Sequence, residues 1–236
     1  PQAIAGTESK VALLQPTDFA YSQNQNRVAF VSASGVYVYK LDVFNDLGKL
    51  VDGRPNQLSP SYDPQGNVWT LSATKGAPFV VTGNERTVLR NTWVDGVPVS
   101  FSVSPEGARV AVVYQQEKAS YTYVFPVERN KSGKVVYLGK PIKITAVPVN
   151  SNQVSWADSV TLALIAPSVP NGYIPCLVTV GGQLNASTAI EAASSLAVNG
   201  TGQIFVLQPN GNVVESRGTS WVTIAQNILA LHVSGD

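Results

Sequence analysis

Short apolar stretches alternate with polar turns along this chain, and the arrangement is clearest at residues 99–114. There "VSFSV" alternates apolar and polar positions, "VAVVY" is a continuous apolar run, and "SPEG" lies between them. This pattern predicts two antiparallel strands joined by a tight turn. Pro105 presets the backbone torsion φ at the second turn position, Gly107 tolerates a positive φ, and Ser104 can accept a hydrogen bond from the turn.

The same strand–turn–strand pattern occurs five times. The segments are "FAYSQNQNRVAFV" (Phe19–Val31), "SYDPQGNVWTL" (Ser61–Leu71), "SFSVSPEGARVAVV" (Ser100–Val113), "VSWADSVTLALI" (Val154–Ile165) and "LAVNGTGQIFVL" (Leu196–Leu207). The residues that open their turns are Ser22, Asp63, Ser104, Ala157 and Asn199. Successive turn-opening residues are 41, 41, 53 and 42 positions apart. A period of about 40 residues with a hairpin in each repeat is typical of β-propeller blades, which are stable only when neighbouring blades cover their faces.

Further strand-like segments extend each repeat to about four strands, bounded by Gly, Pro and Asn turns. They are "VYVYKL" and "GKLVDG" in the first repeat, "PFVVTG" and "RTVLRN" in the second, "YTYVFPV" and "KPIKI" in the third, "PCLVTV" in the fourth, and "GNVVES" and "SWVTIAQ" in the fifth. We therefore expect an all-β fold in which residues 1–236 form one β-propeller domain. It should have five blades of about four antiparallel strands each, with six blades as the alternative.

The two ends of the chain leave the blade number open. "SKVALLQ" (Ser9–Gln15) predicts a lone strand, and "ILALHVSGD" (Ile228–Asp236) resembles the first strand of another repeat. These tails could meet in one sheet and complete the ring. The segment "STAIEAASSLAV" before the last hairpin has a weak helical period, but the Ser, Thr and Gly residues around it favour a loop.

Composition excludes several classes of protein. Apolar residues make up 44% of the chain and charged residues 13%, which is incompatible with a disordered chain. The net charge is +1 with scattered basic residues, so we expect no nucleic-acid partner. The sequence has no Met, no signal peptide and no membrane-spanning run of about 18 apolar residues, and we expect it to be a fragment of a longer exported protein.

Candidate nucleophiles and bases are few. His232 is the only histidine, so a Ser-His-Asp triad or a histidine-rich metal site would have to include it, and its place in the C-terminal strand favours a structural role. Cys176 is the only cysteine, which excludes an internal disulfide. It lies in "YIPCLVTV" with no neighbouring base, which predicts a buried, unreactive thiol.

Glycoside hydrolysis in a propeller would need paired carboxylates in the central channel. The first strand of each repeat should line that channel, and Asp18, Asp63 and Asp158 lie at the ends of these strands rather than within them. We expect the four tryptophans to pack between blades: Trp69, Trp93, Trp156 and Trp221. Stacking on sugars would require one of them to be exposed on a blade rim. We predict that the domain is not an enzyme and has no catalytic, cofactor-binding or metal-binding residues.

Three longer motifs follow one another in a fixed order, and a fourth closes the chain. They are "SPSYDPQGNVWTL", "FSVSPEGARVAVV", "VSWADSVTLALI" and "GNVVESRGTSWVTI". In this order they resemble the C-terminal propeller of the actinobacterial lipoprotein LpqB family, and the likeness extends from about Val11 to the end. The most specific feature is "GNVW" followed, after 84 intervening residues, by "VSWAD". The first repeat departs from the pattern because "SQNQNR" lacks the expected Gly.

The resemblance implies a location and a partner. Family members are anchored outside the cytoplasmic membrane by a lipid on an N-terminal cysteine, with a germination-protein-like domain between anchor and propeller. They act as accessories of a two-component sensor histidine kinase in cell-envelope and division signalling. Cys176 cannot be the anchor because it lies in the middle of the chain.

Two functions remain open from the sequence. The first is a non-enzymatic, extracytoplasmic protein-interaction module whose partner, by the resemblance, is the extracytoplasmic part of a sensor kinase. Its contact surface would lie in the longest loops, Tyr114–Tyr121 and Ala166–Pro175, because Tyr is frequent in interfaces. The alternative is a propeller that binds or hydrolyses envelope polysaccharide.

Overall fold

The computed structural model describes residues 18–44, 46–146, 151–167 and 172–231. All regular secondary structure in these ranges is β-strand, and none of these residues lies in a helix that could cross a membrane. The strands form five sheets that follow one another in chain order, and neighbouring strands are antiparallel. The prediction of an all-β, five-bladed propeller is confirmed.

Each sheet is one blade, and its strands are numbered in chain order. Blade 1 contains β1 (Asp18–Ser22), β2 (Arg27–Ser32), β3 (Gly35–Lys40) and β4 (Lys49–Asp52). Blade 2 contains β5 (Ser61–Tyr62), β6 (Val68–Thr70), β7 (Phe79–Thr82) and β8 (Arg86–Leu89). Blade 3 contains β9 (Val97–Val103), β10 (Arg109–Gln115), β11 (Ser120–Arg129), β12 (Val135–Leu138) and β13 (Ile142–Lys143). Blade 4 contains β14 (Gln153–Trp156), β15 (Thr161–Pro167), β16 (Tyr173–Thr179) and β17 (Leu184–Ala186), and blade 5 contains β18 (Ser195–Val198), β19 (Ile204–Leu207), β20 (Val213–Arg217) and β21 (Ser220–Ala225).

Blade 3 differs from the predicted pattern in its outer part. The sequence pattern suggested "KPIKI" as the strand after β11, but Val135–Leu138 pairs with one part of β11 and Ile142–Lys143 pairs with another. At ten residues, β11 is long enough to accept both short partners. Gly139 and Pro141 separate these two partners, because Pro cannot donate a backbone hydrogen bond to the sheet.

The first strand of a blade directs large apolar residues to the preceding blade and small polar ones to the next. In β9, Phe101 and Val103 pack in a cluster with residues of blade 2. Ser100 of the same strand faces blade 4, where its hydroxyl accepts a hydrogen bond from the Val154 N–H at 3.2 Å. Ser61 of β5 accepts one from the Val103 N–H at 3.1 Å in the same way. Because successive side chains of a strand point to opposite faces, one strand contacts both neighbouring blades.

Hydrophobic clusters fill the spaces between successive blades. The cluster between blades 2 and 3 contains Trp69 and Phe79, and that between blades 3 and 4 contains Trp156. Corresponding clusters join blades 1 and 2 around Val68, and blades 4 and 5 around Ile165. Each blade therefore depends on its neighbours for burial of its faces, as the repeat pattern predicts.

The turn of the first hairpin shows how the chain manages without the expected glycine. Asn26 adopts a φ of 47°, a conformation that Asn tolerates better than most residues. In blade 3 the corresponding turn uses Gly107 at a φ of 70°, and an added Cβ there would lie 2.9 Å from the Pro64 ring of blade 2. Gly107 is therefore required both for the turn and for the contact between blades.

The tails that left the blade number open fall largely outside the described residues. This applies to Ser9–Gln15 and to the last part of "ILALHVSGD". Residues 228–231, which are described, form no strand, although Leu231 lies in the wall of the central channel. The weakly helical segment before β18 contains no helix; Ile190 instead forms an isolated β-bridge with Tyr173.

A buried carboxylate links blades 1 and 2. Asp52 ends β4, and its carboxylate accepts hydrogen bonds from the Thr70 hydroxyl at 2.6 Å and from Nε and Nη2 of Arg54 at 3.0 and 2.6 Å. Burial alone would raise the pKa of Asp52, but the hydrogen bonds from Arg54 and Thr70 outweigh it and hold the pKa below its ordinary value.

We expect acid to destabilise the domain in part through Asp52. Because its pKa is lower in the folded than in the unfolded state, its contribution is fully present above the unfolded pKa of about 3.9 and is lost as the pH falls through the folded value. Urea unfolding at about pH 6 and pH 3 should show a smaller loss of stability in Asp52→Asn than in the wild type. The exposed Asp42→Asn variant is the control and should lose as much as the wild type. An Asp52→Asn variant that also loses as much would contradict this role.

Candidate functional site

A channel of about 500 Å³ lies at the centre of the molecule, between the first strands of all five blades. Its wall is rich in serine hydroxyls: Ser59, Ser61, Ser100, Ser102, Ser155, Ser159 and Ser195. Ser61 and Ser100 accept the hydrogen bonds between blades described above. These two serines therefore serve the packing of the ring.

Three aspartates lie around the channel, and each accepts hydrogen bonds from neighbouring groups. Asp18 begins β1 and accepts a hydrogen bond from the Ser59 hydroxyl of blade 2. Asp158, in the turn after β14, accepts the N–H groups of Val160 and Thr161, both at 2.7 Å. The bond from the Val160 N–H lowers the pKa of Asp158 most, which keeps this turn residue ionised. The prediction that these carboxylates lie at strand ends is confirmed for both residues.

The third carboxylate, Asp63, is the centre of a buried hydrogen-bond network. It is 1% exposed and accepts hydrogen bonds from the Asn67 N–H at 2.9 Å and the Trp69 indole N–H at 3.1 Å. Nη2 of Arg129 in blade 3 lies 2.9 Å from Oδ2 of Asp63 and also donates to the carbonyl of Gly107 at 3.2 Å. Asp63 therefore joins the turns of blades 2 and 3 and is inaccessible to a ligand in the channel.

The remaining candidates for reactivity give no further site in the described residues. Cys176 in β16 is 1% exposed, and burial raises the pKa of its thiol to about 11, so the thiol is protonated at neutral pH. The prediction that this thiol is buried is confirmed. His232 lies outside the described residues. Among those described, no three His, Cys, Asp or Glu side chains are grouped as metal ligands would be.

The four tryptophans differ in how far they are buried. Trp69 and Trp156 are 0% and 6% exposed between blades, which confirms their predicted position. Trp221 is partly buried, with its indole N–H donating to the Thr188 carbonyl at 3.1 Å. The prediction is wrong for Trp93, which is 53% exposed in the connection between blades 2 and 3. Its surroundings in "NTWVDG" carry turn-forming rather than strand-forming residues, and this signal could have placed it in a loop.

Three loops come together at Asp95, two residues after Trp93 in the chain. In an antiparallel blade, the loop between the second and third strands and the connection to the next blade lie at the same end of the sheet. Loops 71–78, 90–96 and 116–119 therefore share one end of blades 2 and 3, which we call the loop face. Lys75 Nζ lies 3.0 Å from Asp95 Oδ2, and the Gln116 side-chain amide donates to the Asp95 carbonyl at 2.9 Å.

The loop face contains a groove of about 580 Å³, to which Lys75, Asp95, Lys118 and Tyr121 contribute. Beside it, Lys143 Nζ lies 3.3 Å from the centroid of the Tyr121 ring, within the range of a cation–π interaction. The groove offers cationic and aromatic side chains at a surface of the propeller.

Of the two loops expected to form a contact surface, the structure describes one completely and the other only in part. Within Tyr114–Tyr121, Tyr114 is 2% exposed and only the turn 116–119 projects, with exposed Glu117 and Lys118 at its tip. The backbone N–H of Gln116 donates to the Ala119 carbonyl at 2.9 Å and closes this turn. In Ala166–Pro175, residues 168–171 lie outside the described part of the chain.

Comparison with known protein families shows to which family this chain belongs. Residues 2–228 match the family described as the lipoprotein LpqB β-propeller domain (Gmad1). The chain belongs to the LpqB β-propeller family. The resemblance carried by "SPSYDPQGNVWTL", "FSVSPEGARVAVV" and "VSWADSVTLALI" is thus confirmed. No curated protein matches the chain.

The LpqB propeller is also similar in fold to several solved structures. One is TolB from Acinetobacter baumannii, with 14% identity and a TM-score of 0.64 over 89% of this chain and 55% of that one. A chain of the nidogen/laminin complex has 10% identity and a TM-score of 0.64 over 85% and 74%, and a chain of Kuenenia stuttgartiensis hydrazine synthase has 14% and 0.60 over 89% and 66%. The LpqB propeller thus spans about half of the TolB chain, and at these identities the likeness concerns the fold alone.

Proposed function

We propose that this propeller is a non-enzymatic protein-interaction module outside the cytoplasmic membrane, and that it assists a two-component sensor histidine kinase in cell-envelope and division signalling. The observation that carries the proposal is the match of residues 2–228 to a lipoprotein propeller family. A lipid anchor on the full-length protein would hold the propeller at the membrane surface, where the extracytoplasmic part of a sensor kinase also lies.

In the described part of the chain, the candidate reactive groups discussed above have structural roles. Asp63 and Asp158, the carboxylates in turns at the channel, hold those turns, and the Cys176 thiol is buried and protonated. The loop face, in contrast, presents Trp93 and Tyr121, and these residue types are enriched in protein interfaces.

We expect the tip of the β10–β11 turn to contribute to partner binding. Replacing Glu117 and Lys118 together by alanine should weaken binding to the purified extracytoplasmic part of the sensor kinase by about three- to tenfold, a typical effect of interface side chains. The melting temperature should stay unchanged because the tip is solvated. Biolayer interferometry with the wild-type and the double-alanine full-length proteins measures this difference.

A matched control lies at the opposite end of β11. Lys131 and Ser132 form an equally exposed turn, and their double alanine variant should bind the kinase like the wild type. Cys176→Ser and His232→Ala should also bind normally if they fold. Equal effects of the two turn variants on kinase binding would show that the turn 116–119 is not part of the interface. Loss of function in a stable His232→Ala variant would favour an enzyme.

A further inference from the structure

The exposed Trp93 is held in place by hydrogen bonds to the loop that carries it. The Asn91 side-chain oxygen accepts the N–H groups of Trp93 and Val94 at 2.9 and 3.1 Å. The Asn91 amide donates in turn to the Val94 carbonyl at 3.0 Å and to the buried Tyr114 hydroxyl at 2.9 Å. This large apolar side chain is therefore presented to solvent on a loop whose conformation is already fixed, which reduces the entropy lost on binding.

The charges on the loop face are predominantly positive. The exposed cations Lys75, Arg90, Lys118 and Lys143 lie on or beside the loop face, against two carboxylates, Asp95 and Glu117. Lys75 is paired with Asp95. The remaining charged residues are three cations, Arg90, Lys118 and Lys143, and one carboxylate, Glu117. The surface thus has a local positive excess in a chain whose net charge is only +1.

We propose that the loop face binds an acidic segment of a protein partner that also carries an apolar side chain, with Trp93 as the anchor for that side chain. The carboxylates of the segment would contact Lys118, Lys143 and Arg90. This inference rests on the proposed function as an interaction module and adds to it the surface and the chemistry of the partner. A Trp at the centre of an interface, surrounded by polar groups, is the usual form of a binding hot spot.

A saccharide is the other ligand that an exposed Trp admits, but the groove favours a protein segment. Sugar hydroxyls are recognised by oriented carboxylate and amide groups. Here the Asp95 carboxylate is paired with Lys75, and the Gln116 amide donates to the Asp95 carbonyl, so these groups already serve the loops. The flexible lysines that remain suit carboxylates, whose attraction to them depends on charge more than on geometry.

Photo-crosslinking in the full-length protein tests the proposal. A benzoyl-phenylalanine placed at Trp93 should crosslink, in the native cell, to an extracytoplasmic protein, and mass spectrometry should place the link in an acidic segment. The same group at Lys131, on the opposite end of β11, is the control. The purified partner should bind Trp93→Ala about thirtyfold more weakly, the scale of a Trp hot spot. Lys118→Glu with Lys143→Glu should weaken binding about tenfold, and added salt should reduce the wild-type affinity.

The outcomes separate this inference from the proposed function. Crosslinks to glycan, or crosslinks no stronger than those from Lys131, would overturn the loop face as a protein site. A kinase that binds Trp93→Ala as tightly as the wild type would overturn the inference while leaving the proposed function intact. A crosslinked acidic segment in a protein other than the sensor kinase would support the loop face and contradict the kinase role.

Discussion

Replacing Trp69 by alanine is expected to lower the free energy of unfolding by about 3–5 kcal/mol, because deletion of a large buried aromatic side chain leaves a cavity. Trp69 is fully buried between blades 2 and 3, and its ring meets Phe79 edge-on at a centroid distance of 6.0 Å. Its indole N–H also donates to Asp63, so the variant loses a buried hydrogen bond. Urea unfolding followed by circular dichroism measures the change.

Trp93→Ala is the matched control for this experiment. The same residue type is removed, but Trp93 is 53% exposed, and we expect a loss below about 1 kcal/mol. Trp156→Ala, which removes the corresponding residue between blades 3 and 4, should resemble Trp69→Ala. A loss below about 1 kcal/mol for Trp69→Ala would mean that the blades are not held together by these residues.

Asp63→Ala is expected to cost a similar amount, about 3–5 kcal/mol, because it leaves the largely buried guanidinium of Arg129 without its carboxylate. The turn also loses the acceptor of its own N–H groups, including those of Gln65 and Asn67. The free energy of unfolding from urea denaturation gives the size of the effect.

A double-mutant cycle identifies the cause of that loss. Arg129→Met alone leaves the Asp63 carboxylate without its cation, but the N–H groups of Asn67 and Trp69 still donate to it, so this variant should be less harmful. Combined with Asp63→Ala it should recover part of the stability, because the double variant has no uncompensated charge. Strictly additive effects of the two substitutions would show that the ion pair between blades 2 and 3 contributes nothing of its own.

The fold was predictable because its signal is repeated. The five hairpins follow from alternating strand positions and from turns such as "SPEG", and each repetition adds support to the others. The outer strands of blade 3 were harder, because "KVVYLGKPIKI" contains two short strand-like pieces whose partner is decided by the length of β11. Pairing between strands is not encoded in the local pattern of either piece.

The candidate site was less predictable, for two physical reasons. The hydrophobicity of Trp93 suggests burial, and only the turn residues around it indicate a loop. The pairs that define the site and the ring, such as Arg129 with Asp63 and Gln116 with Asp95, join residues far apart in the chain. A single sequence does not indicate such contacts, because they form only when the blades have assembled.

The proposed binding to a sensor histidine kinase can be measured directly by calorimetric titration of the propeller with the purified extracytoplasmic part of the kinase. We expect saturable binding at a fixed stoichiometry, weakened by Trp93→Ala and unaffected by Lys131→Ala. Absence of binding at concentrations of about 100 μM would contradict the kinase role, because specific interfaces of ordinary size bind in about the μM to pM range.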